Sequence, residues 1–394
     1  MKPLSSPAAA RLATLAVFFV NGAVFASWAA NIPSVRARLG LTPAALGFVI
    51  LSIAAGSVVA LVVTGRLIDR FGSRGVMISS SVAFSLLLPL ALLAPSVPVI
   101  VPLLFLFGAS ASAMDVAMNA HGVHVERRLG RPIMSSLHAL FSCGSLAGAG
   151  VAAVALSAGF SAQEYGIACA VLMLAITAWA WPRALPGSED RGQAEGGPIF
   201  VLPTGALLGM AILVLCSYVG EGAVADWSAV YMRDGLGVAA GTAPLAYTAF
   251  ALAMTASRFM GDALRARFDS VTLLRLSGGL AAAGMGAALV LNNPVAAIVG
   301  FACAGFGFAN VVPVLFSAAG RVPGIPAGMA IAAVASTGYL GFLAGPPTIG
   351  LLAQAFTLKA ALAVVIFLAT AIFLLAGLVR AATREPARPV EEAA

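Results

Sequence analysis

The sequence predicts an all-α membrane protein with twelve transmembrane helices. Of its 394 residues, 61% are hydrophobic and only 9% are charged, whereas a soluble globular chain carries about 25% charged residues. Most of its apolar segments reach the ~20 residues that a helix needs to cross a bilayer. These segments cover residues 12–31, 44–64, 75–94, 98–120, 133–156, 163–182, 202–227, 243–260, 271–291, 295–317, 327–350 and 359–379.

The distribution of basic residues predicts the topology. If the N-terminus is cytoplasmic, only Arg36, Arg38, Arg233 and Lys359 of the 22 Lys and Arg residues lie at the outer ends of the segments. Because basic residues accumulate on the inside, we expect both termini in the cytoplasm. The basic residues behind the net charge of +7 lie mostly at these cytoplasmic ends, and they form no separate basic face. The expected partner is therefore the lipid bilayer and not nucleic acid.

A flexible linker divides the chain into two sets of six segments. Residues 182–198, PRALPGSEDRGQAEGGP, are rich in Pro, Gly and charge, which is typical of a loop. We therefore predict a six-helix bundle over 1–181, a cytoplasmic linker over 182–200, a second six-helix bundle over 201–381 and a cytoplasmic tail over 382–394.

The two halves carry traces of a repeat. Asn21-Gly-Ala-Val in the first segment matches Glu221-Gly-Ala-Val in the seventh, and Asp115 in the fourth segment matches Asn310 in the tenth. Matches in the same order support duplicated halves. In the fifth segment, Gly144 and Gly148 form a G-x-x-x-G pair that predicts a close helix contact.

Polar residues inside apolar segments predict a binding site. A carboxylate near the centre of a membrane helix costs about 2.5 to 3.5 kcal/mol, so it normally faces water or a partner. Asp115 and Asn119 lie one turn apart on one helix face, and Glu221 is a second intramembrane acid whose depth stays open. The candidate solute-binding residues are Asn21, Trp28, Asp115, Asn119, Glu221, Asn310 and Tyr339.

Structural roles remain open for several of these residues. Trp28 also fits an interfacial aromatic belt, Asn21 a hydrogen bond between helices, and Glu221 a structural pair with an arginine. Asp226 is expected at the periplasmic edge. His138 is a candidate proton relay or a structural histidine.

We expect no metal site and no enzyme activity. His121 and His124 are expected to be solvated at the cytoplasmic mouth, and no carboxylate or cysteine falls at a ligand spacing that would close a metal site with them. The acids lack a nucleophile motif or a phosphate-binding loop.

The loop between the second and third segments carries the most specific motif. GRLIDRFGSRG resembles the G-x-x-x-D-R-x-G-R-[KR] loop of the major facilitator superfamily of transporters, with Ser73 in place of the usual first basic residue. A weaker echo, with Arg258 and Asp262, ends the eighth segment. The motif residues, which the resemblance assigns to conformational coupling, are Gly65, Arg66, Asp69, Arg70, Gly72 and Arg74.

The resemblance implies two pseudo-symmetric six-helix bundles with a central cavity lined by segments one, four, seven and ten. MDVAMN at 114–119 and EGAVADWSAVYMRDGLG at 221–237 are similar to the bacterial inner-membrane YbjJ type of this superfamily. This similarity implies a multi-pass protein of the bacterial inner (plasma) membrane, and we expect a monomer.

The expected function is secondary active transport of a small polar solute by alternating access. We expect symport driven by the proton gradient, without a cofactor, with Glu221, Asp115 and His138 as the proton-coupling candidates. Two alternatives stay open: proton-coupled efflux of a drug-like or metabolite compound, and a non-transporting membrane receptor.

Overall fold

The computed structural model describes residues 6–130, 133–186, 203, 205–322, 325 and 327–383, and these residues form helices joined by short turns. The side chains of Asp262 and Tyr339, most of the predicted linker and most of the predicted tail lie outside that description. The longer helices are α1 (Pro7–Leu39), α2 (Pro43–Leu93), α3 (Val97–Leu129), α4 (Met134–Ser157), α5 (Ala162–Ala180), α6 (Ala206–Val230), α7 (Leu245–Arg267), α8 (Ser270–Leu291), α9 (Pro294–Phe308), α10 (Val311–Ala319), α11 (Ala327–Ala355), α12 (Leu358–Leu375) and α13 (Leu378–Thr383).

The helices account for the twelve predicted segments. Within the described residues, nine helical stretches are long and apolar enough to span a membrane. One of them, α2, contains two segments because Gly72 interrupts it with φ +78°. Helices α7 and α11 supply the remaining two, and α9 with α10 forms the single tenth segment. The fold is therefore an all-α membrane protein, as predicted.

Local sequence signals explain where the helices begin and end. The Ser6 hydroxyl accepts the Ala9 N–H, and Pro7 follows at the first helical position of α1. Asp269 caps α8 by accepting the N–H groups of the next turn, which satisfies donors that a helix start leaves unpaired. Gly40 ends α1 with φ +61°, a left-handed conformation that favours glycine.

Close backbone contacts pair the helices of the N-terminal half. Gly144 and Gly148 on α4 lie against the backbone carbonyls of Phe19 and Ala23 on α1, so the predicted G-x-x-x-G contact is confirmed. Gly56 on α2 and Gly108 on α3 approach each other's helix in the same way. Such contacts let helices pack tightly where the surrounding lipid provides no hydrophobic driving force.

The C-terminal half repeats these pairings. Gly338 on α11 lies against Tyr218 on α6, as α4 lies against α1, and Gly305 on α9 lies against the Phe250 carbonyl on α7, as α3 lies against α2. Gly278 on α8 packs against Ala369 on α12. In the first half the corresponding contact is the 2.8 Å hydrogen bond between the Ser81 and Thr177 hydroxyls, which joins α2 to α5. This repetition agrees with two pseudo-symmetric six-helix bundles.

The loop motif ties three elements of the first half together. Of the two glycines that match the motif, Gly65 is helical and Gly72 makes the turn. Ser73 is 1% exposed, and its Oγ lies 3.0 Å from His121 Nδ1 on α3. The Leu185 N–H donates to His121 Nε2 at 3.3 Å. The expectation that His121 is solvated is wrong, because its ring is 2% exposed between these partners.

This burial also explains the unusual Ser73. Position 73 is 1% exposed, so a lysine or arginine there would place a buried charge against the His121 ring. An unpaired buried charge is costly. Arg74 keeps the family's basic residue and donates to the Trp181 carbonyl at 2.9 Å. The loop thus contacts both α3 and the end of α5.

We expect Gly56→Ala to destabilise the protein, because the added Cβ would overlap the Phe105 carbonyl. Overpacking of this kind costs about 1 to 3 kcal/mol. The measurement is the thermal unfolding temperature of the purified protein in detergent. Gly286→Ala is the matched control, since nothing lies within 4 Å of its Cβ position. Equal unfolding temperatures for the two variants would contradict the proposed role of close packing.

Candidate functional site: a cavity between the two halves

The two halves contact each other at one end of the molecule, which we call the closed end. Here α1 terminates, α2 begins and α6 runs into the π-helical turn Tyr231–Gly235. Arg36 forms an ion pair with Asp234, joining the first half to the second. Gly47 on α2 packs against Pro346 on α11.

A further contact at the closed end involves the turn before α7. Gly241 lies against Ser157, the last residue of α4. Three pairs of elements therefore join the halves at this end: α1 with the turn after α6, α2 with α11, and α4 with the turn before α7. These contacts bring the two halves together on this side of the molecule.

A cavity of about 360 Å³ lies between the halves. Its walls come from α1, α2, α3 and α4 on one side and from α6, α7 and α11 on the other. The family pattern predicted walls from segments one, four, seven and ten. Among the described residues, α9 and α10 contribute no lining residue, and the lining side chains of α2, α4, α7 and α11 are additional.

Asn21, Asp115 and Glu221 line this cavity, as predicted for a shared site. The Asp115 side chain is accessible to solvent, and the Glu221 side chain is half-buried. The Asn119 amide, one helical turn after Asp115, donates to the Asp115 backbone carbonyl at 2.8 Å and to Asp115 Oδ1 at 3.3 Å. Ser217 donates to Glu221 Oε1 at 2.8 Å. Each acid therefore has one neighbouring donor that orients it.

Like Asn119, two further predicted binding residues do not line the cavity. Trp28 is 1% exposed and packs against Phe107, with ring centroids 6.0 Å apart. Asn310 is 3% exposed at the break between α9 and α10, where its amide donates to the Ser257 Oγ at 2.9 Å. Both side chains are directed into helix packing, and we leave them out of the proposed site.

His138 is exposed near the start of α4, with its ring edge-on to Phe18 at a centroid distance of 5.3 Å. It does not line the cavity, but it lies within electrostatic range of Arg258. Tyr339 belongs to α11, and its side chain lies outside the described set.

Arg258 and Asp226 are two charged lining residues outside the predicted binding set. Arg258 belongs to the predicted echo of the loop motif, and because α7 continues past it to Arg267, it also lies in the cavity wall. Asp226, expected at the periplasmic edge, lines the cavity one helical turn beyond Gly222. Glu221 and Arg258 are within electrostatic range of each other.

A periodic signal could have located the α7 wall. The lining residues of α7 recur with the three- and four-residue spacing of one helix face. They are Tyr247, Phe250, Ala251, Met254, Thr255 and Arg258. Aromatic rings from both halves complete the wall: Phe25 and Phe141 from the first, and Tyr247, Phe250 and Phe342 from the second. The cavity thus combines apolar walls with a few charged groups.

Comparison with known families identifies the chain. The model of the Major Facilitator Superfamily matches residues 13–326. The chain belongs to this superfamily. It is 37% identical over 375 residues to an uncharacterised MFS-type transporter of Yersinia pestis, covering 95% of this chain and 96% of that protein. It is 35% identical over 349 residues to the membrane protein MosC of Rhizobium meliloti, covering 89% and 85%.

Solved transporters share the fold at low sequence identity. The D-xylose-proton symporter aligns with a TM-score of 0.75 and 15% identity, covering 96% of this chain and 98% of that chain. The nucleoside transporter NupG aligns with a TM-score of 0.74 and 12% identity, covering 95% and 99%. By its family match and its 37% identical relative, the protein is a multi-pass membrane transporter of this superfamily and not an enzyme.

We expect Asp234→Asn to loosen the closed end, because it removes the charge that holds Arg36 across the two halves. A half-exposed ion pair contributes about 0.2 to 1 kcal/mol, so the ratio of closed to open molecules should fall up to about five-fold. Double electron–electron resonance between labels at Val97→Cys and Val295→Cys, with the four native cysteines replaced, measures this change. These positions are exposed at the start of α3 and of α9.

The charge-swapped pair Arg36→Asp with Asp234→Arg should restore the short distance. Asp269→Asn is the matched control, because the Asp269–Arg380 ion pair lies within the second half. An unchanged distance distribution in Asp234→Asn would show that the ion pair does not hold the halves together.

Proposed function

We propose that this transporter couples the movement of a small solute to protons, as a symporter that works by alternating access. The observation that carries the proposal is the placement of Asp115 and Glu221. They come from different halves of the chain, yet both line one cavity whose closed end is sealed by contacts between the halves. Rocking the halves about such a cavity exposes the same acids first to one side and then to the other.

The surroundings of Glu221 suit a proton-dependent switch. The Ser217 hydroxyl donates to Glu221 Oε1 at 2.8 Å, and the Arg258 charge lies within electrostatic range of the carboxylate. Protonation removes the attraction to Arg258, which then becomes available to other partners in the cavity. An intramembrane acid that faces a cavity is a typical proton-relay group. We assign Asp115 the same role on the opposite wall, with Asn119 as its orienting donor.

The location and direction are part of the proposal. With both termini in the cytoplasm of a bacterial cell, the closed end faces the periplasm and the cavity communicates with the cytoplasm. The described conformation is then inward-facing. We propose a single chain as the transporting unit, because the cavity lies between the halves of one chain. The proton gradient is the driving force.

The structural relatives support the type of solute. One is a nucleoside transporter and the other is a D-xylose-proton symporter. A cavity of about 360 Å³ falls in the range of sites for molecules of this size. We therefore propose uptake of a small solute that carries polar groups.

A thermal-shift screen of sugars, nucleosides, amino acids and amines should identify a ligand of the purified protein. Proteoliposomes loaded with a pH-sensitive dye then report proton entry when that ligand is added. We expect Glu221→Gln and Asp115→Asn to reduce ligand-induced proton entry to the level of protein-free vesicles, since an amide does not exchange the proton. Ligand exchange without a gradient should persist.

Asp269→Asn is the control for this experiment, because Asp269 caps α8 away from the cavity and asparagine caps as well as aspartate. The coupling assignment fails if both cavity variants still move protons at the control rate.

Efflux of an amphipathic compound is the second candidate, and the aromatic wall of the cavity favours it. It requires the same fold and the opposite net direction of transport. Drug-resistance profiling of an overexpressing strain, with the Glu221→Gln strain as reference, separates efflux from uptake: resistance that the Glu221→Gln strain lacks supports efflux.

A further inference from the structure

The charges that line the cavity do not balance. Among the described lining residues, the carboxylates are Asp115, Glu221 and Asp226, and the cation is Arg258. Arg258 is within electrostatic range of Glu221, so it offsets that carboxylate first. If a proton occupies Asp115 and Asp226 is ionised, Asp226 is left without a compensating charge.

Asp226 is the least supported of the three acids. Asn119 donates to Asp115 and Ser217 to Glu221, but within the described part of the chain no side chain or backbone N–H donates to Asp226. Its side chain is half-buried and lines the cavity. A carboxylate away from bulk water normally has a hydrogen-bond or charge partner, and among the described residues no hydrogen-bond donor to Asp226 is found.

Asp226 also differs in depth. It lies five residues after Glu221 on α6, which places it about 7.5 Å nearer the closed end. Tyr247, near the start of α7, lies within electrostatic range of Asp226, Glu221 and Arg258. Arg258 lies eleven residues after Tyr247 on α7, which runs antiparallel to α6. The cavity is therefore polarised, with the uncompensated acid at its blind end and the guanidinium towards the opposite end.

Aromatic rings line the same cavity as this acid. Tyr247 and Phe250 are nearly parallel, with centroids 6.0 Å apart and an interplanar angle of 25°. Phe25 and Phe342 line the cavity from the two halves. Aromatic faces attract organic cations as well as apolar groups, so the walls and the acid favour the same kind of molecule.

We propose that the cavity binds a small organic amine whose ammonium group pairs with Asp226 at the blind end, while the body of the molecule lies against the aromatic wall. This inference rests on the proposed function only in taking the cavity as the solute site. An ammonium supplies the charge and the donors that Asp226 lacks. A neutral solute leaves the carboxylate uncompensated, and an anion is repelled by it.

The test compares molecules of one shape and three charges. The first set is 2-phenylethylamine, 2-phenylethanol and phenylacetate, and the second is glucosamine, glucose and gluconate. Ligand-induced thermal stabilisation of the full-length protein in detergent at neutral pH measures binding. We expect the amine of at least one set to stabilise the protein while its neutral and anionic partners do not.

Asp226→Asn should raise the amine concentration needed for half-maximal stabilisation about tenfold or more, because it removes a charge-assisted pair. Asp226→Glu should restore part of the effect. Asp269→Asn, the capping carboxylate outside the cavity, should leave the amine response unchanged. Unfolding temperatures without ligand show whether each variant is folded.

Three results overturn the inference: equal stabilisation by the neutral or anionic partner, no stabilisation by either amine, or an unchanged amine response in Asp226→Asn. The proposed function fails independently, when Glu221→Gln and Asp115→Asn still move protons with the solute. Loss of proton movement in Asp226→Asn with intact amine discrimination assigns Asp226 to coupling and also overturns the amine inference.

Discussion

The cost of placing a charge inside a bilayer governs this structure. A carboxylate at the centre of a membrane helix is unfavourable by about 2.5 to 3.5 kcal/mol unless it faces water or a partner. Asp115 and Glu221 satisfy this requirement from opposite halves of the chain, by sharing one cavity. The cavity requires two bundles that touch at one end and separate further in. The architecture and the acids therefore depend on each other.

Close backbone packing makes such a cavity possible. The glycines at the α1–α4, α2–α3 and α7–α9 contacts bring helix backbones together, so each half can behave as a firm unit. A firm unit rocks as a body instead of deforming around the solute. The loop motif adds to this rigidity in the first half, because Ser73 and His121 connect α2, α3 and the chain after α5.

The closed end and the polarised cavity complement each other. Arg36 and Asp234 join the halves beyond the blind end, while Asp226 lies inside it without a hydrogen-bond donor among the described residues. A ligand that neutralises Asp226 would act next to the contacts that must open for the opposite conformation. Binding and conformational change can in this way be linked over a short distance, through α6 and the turn that follows it.

The sequence by itself determined the fold class, the number of segments, the loop motif and two of the cavity acids. These features depend on local composition and spacing: apolar runs long enough to span, a Gly72 turn, and acids in otherwise apolar helices. Which candidates face the cavity was decided only by tertiary structure. Asn21, Asp115 and Glu221 line it, whereas Trp28 and Asn310 are buried in helix packing.

The same limit explains Asp226 and Arg258. Position along the chain predicted the periplasmic edge for Asp226 and the end of the eighth segment for Arg258, because hydropathy reports how apolar a segment is and not where its helix ends. Helix α7 runs to Arg267 and the face of α6 continues from Glu221 through Gly222 to Asp226. The rotation of each helix about its axis is set by its neighbours, so a residue's access to the cavity is a property of the packed bundle.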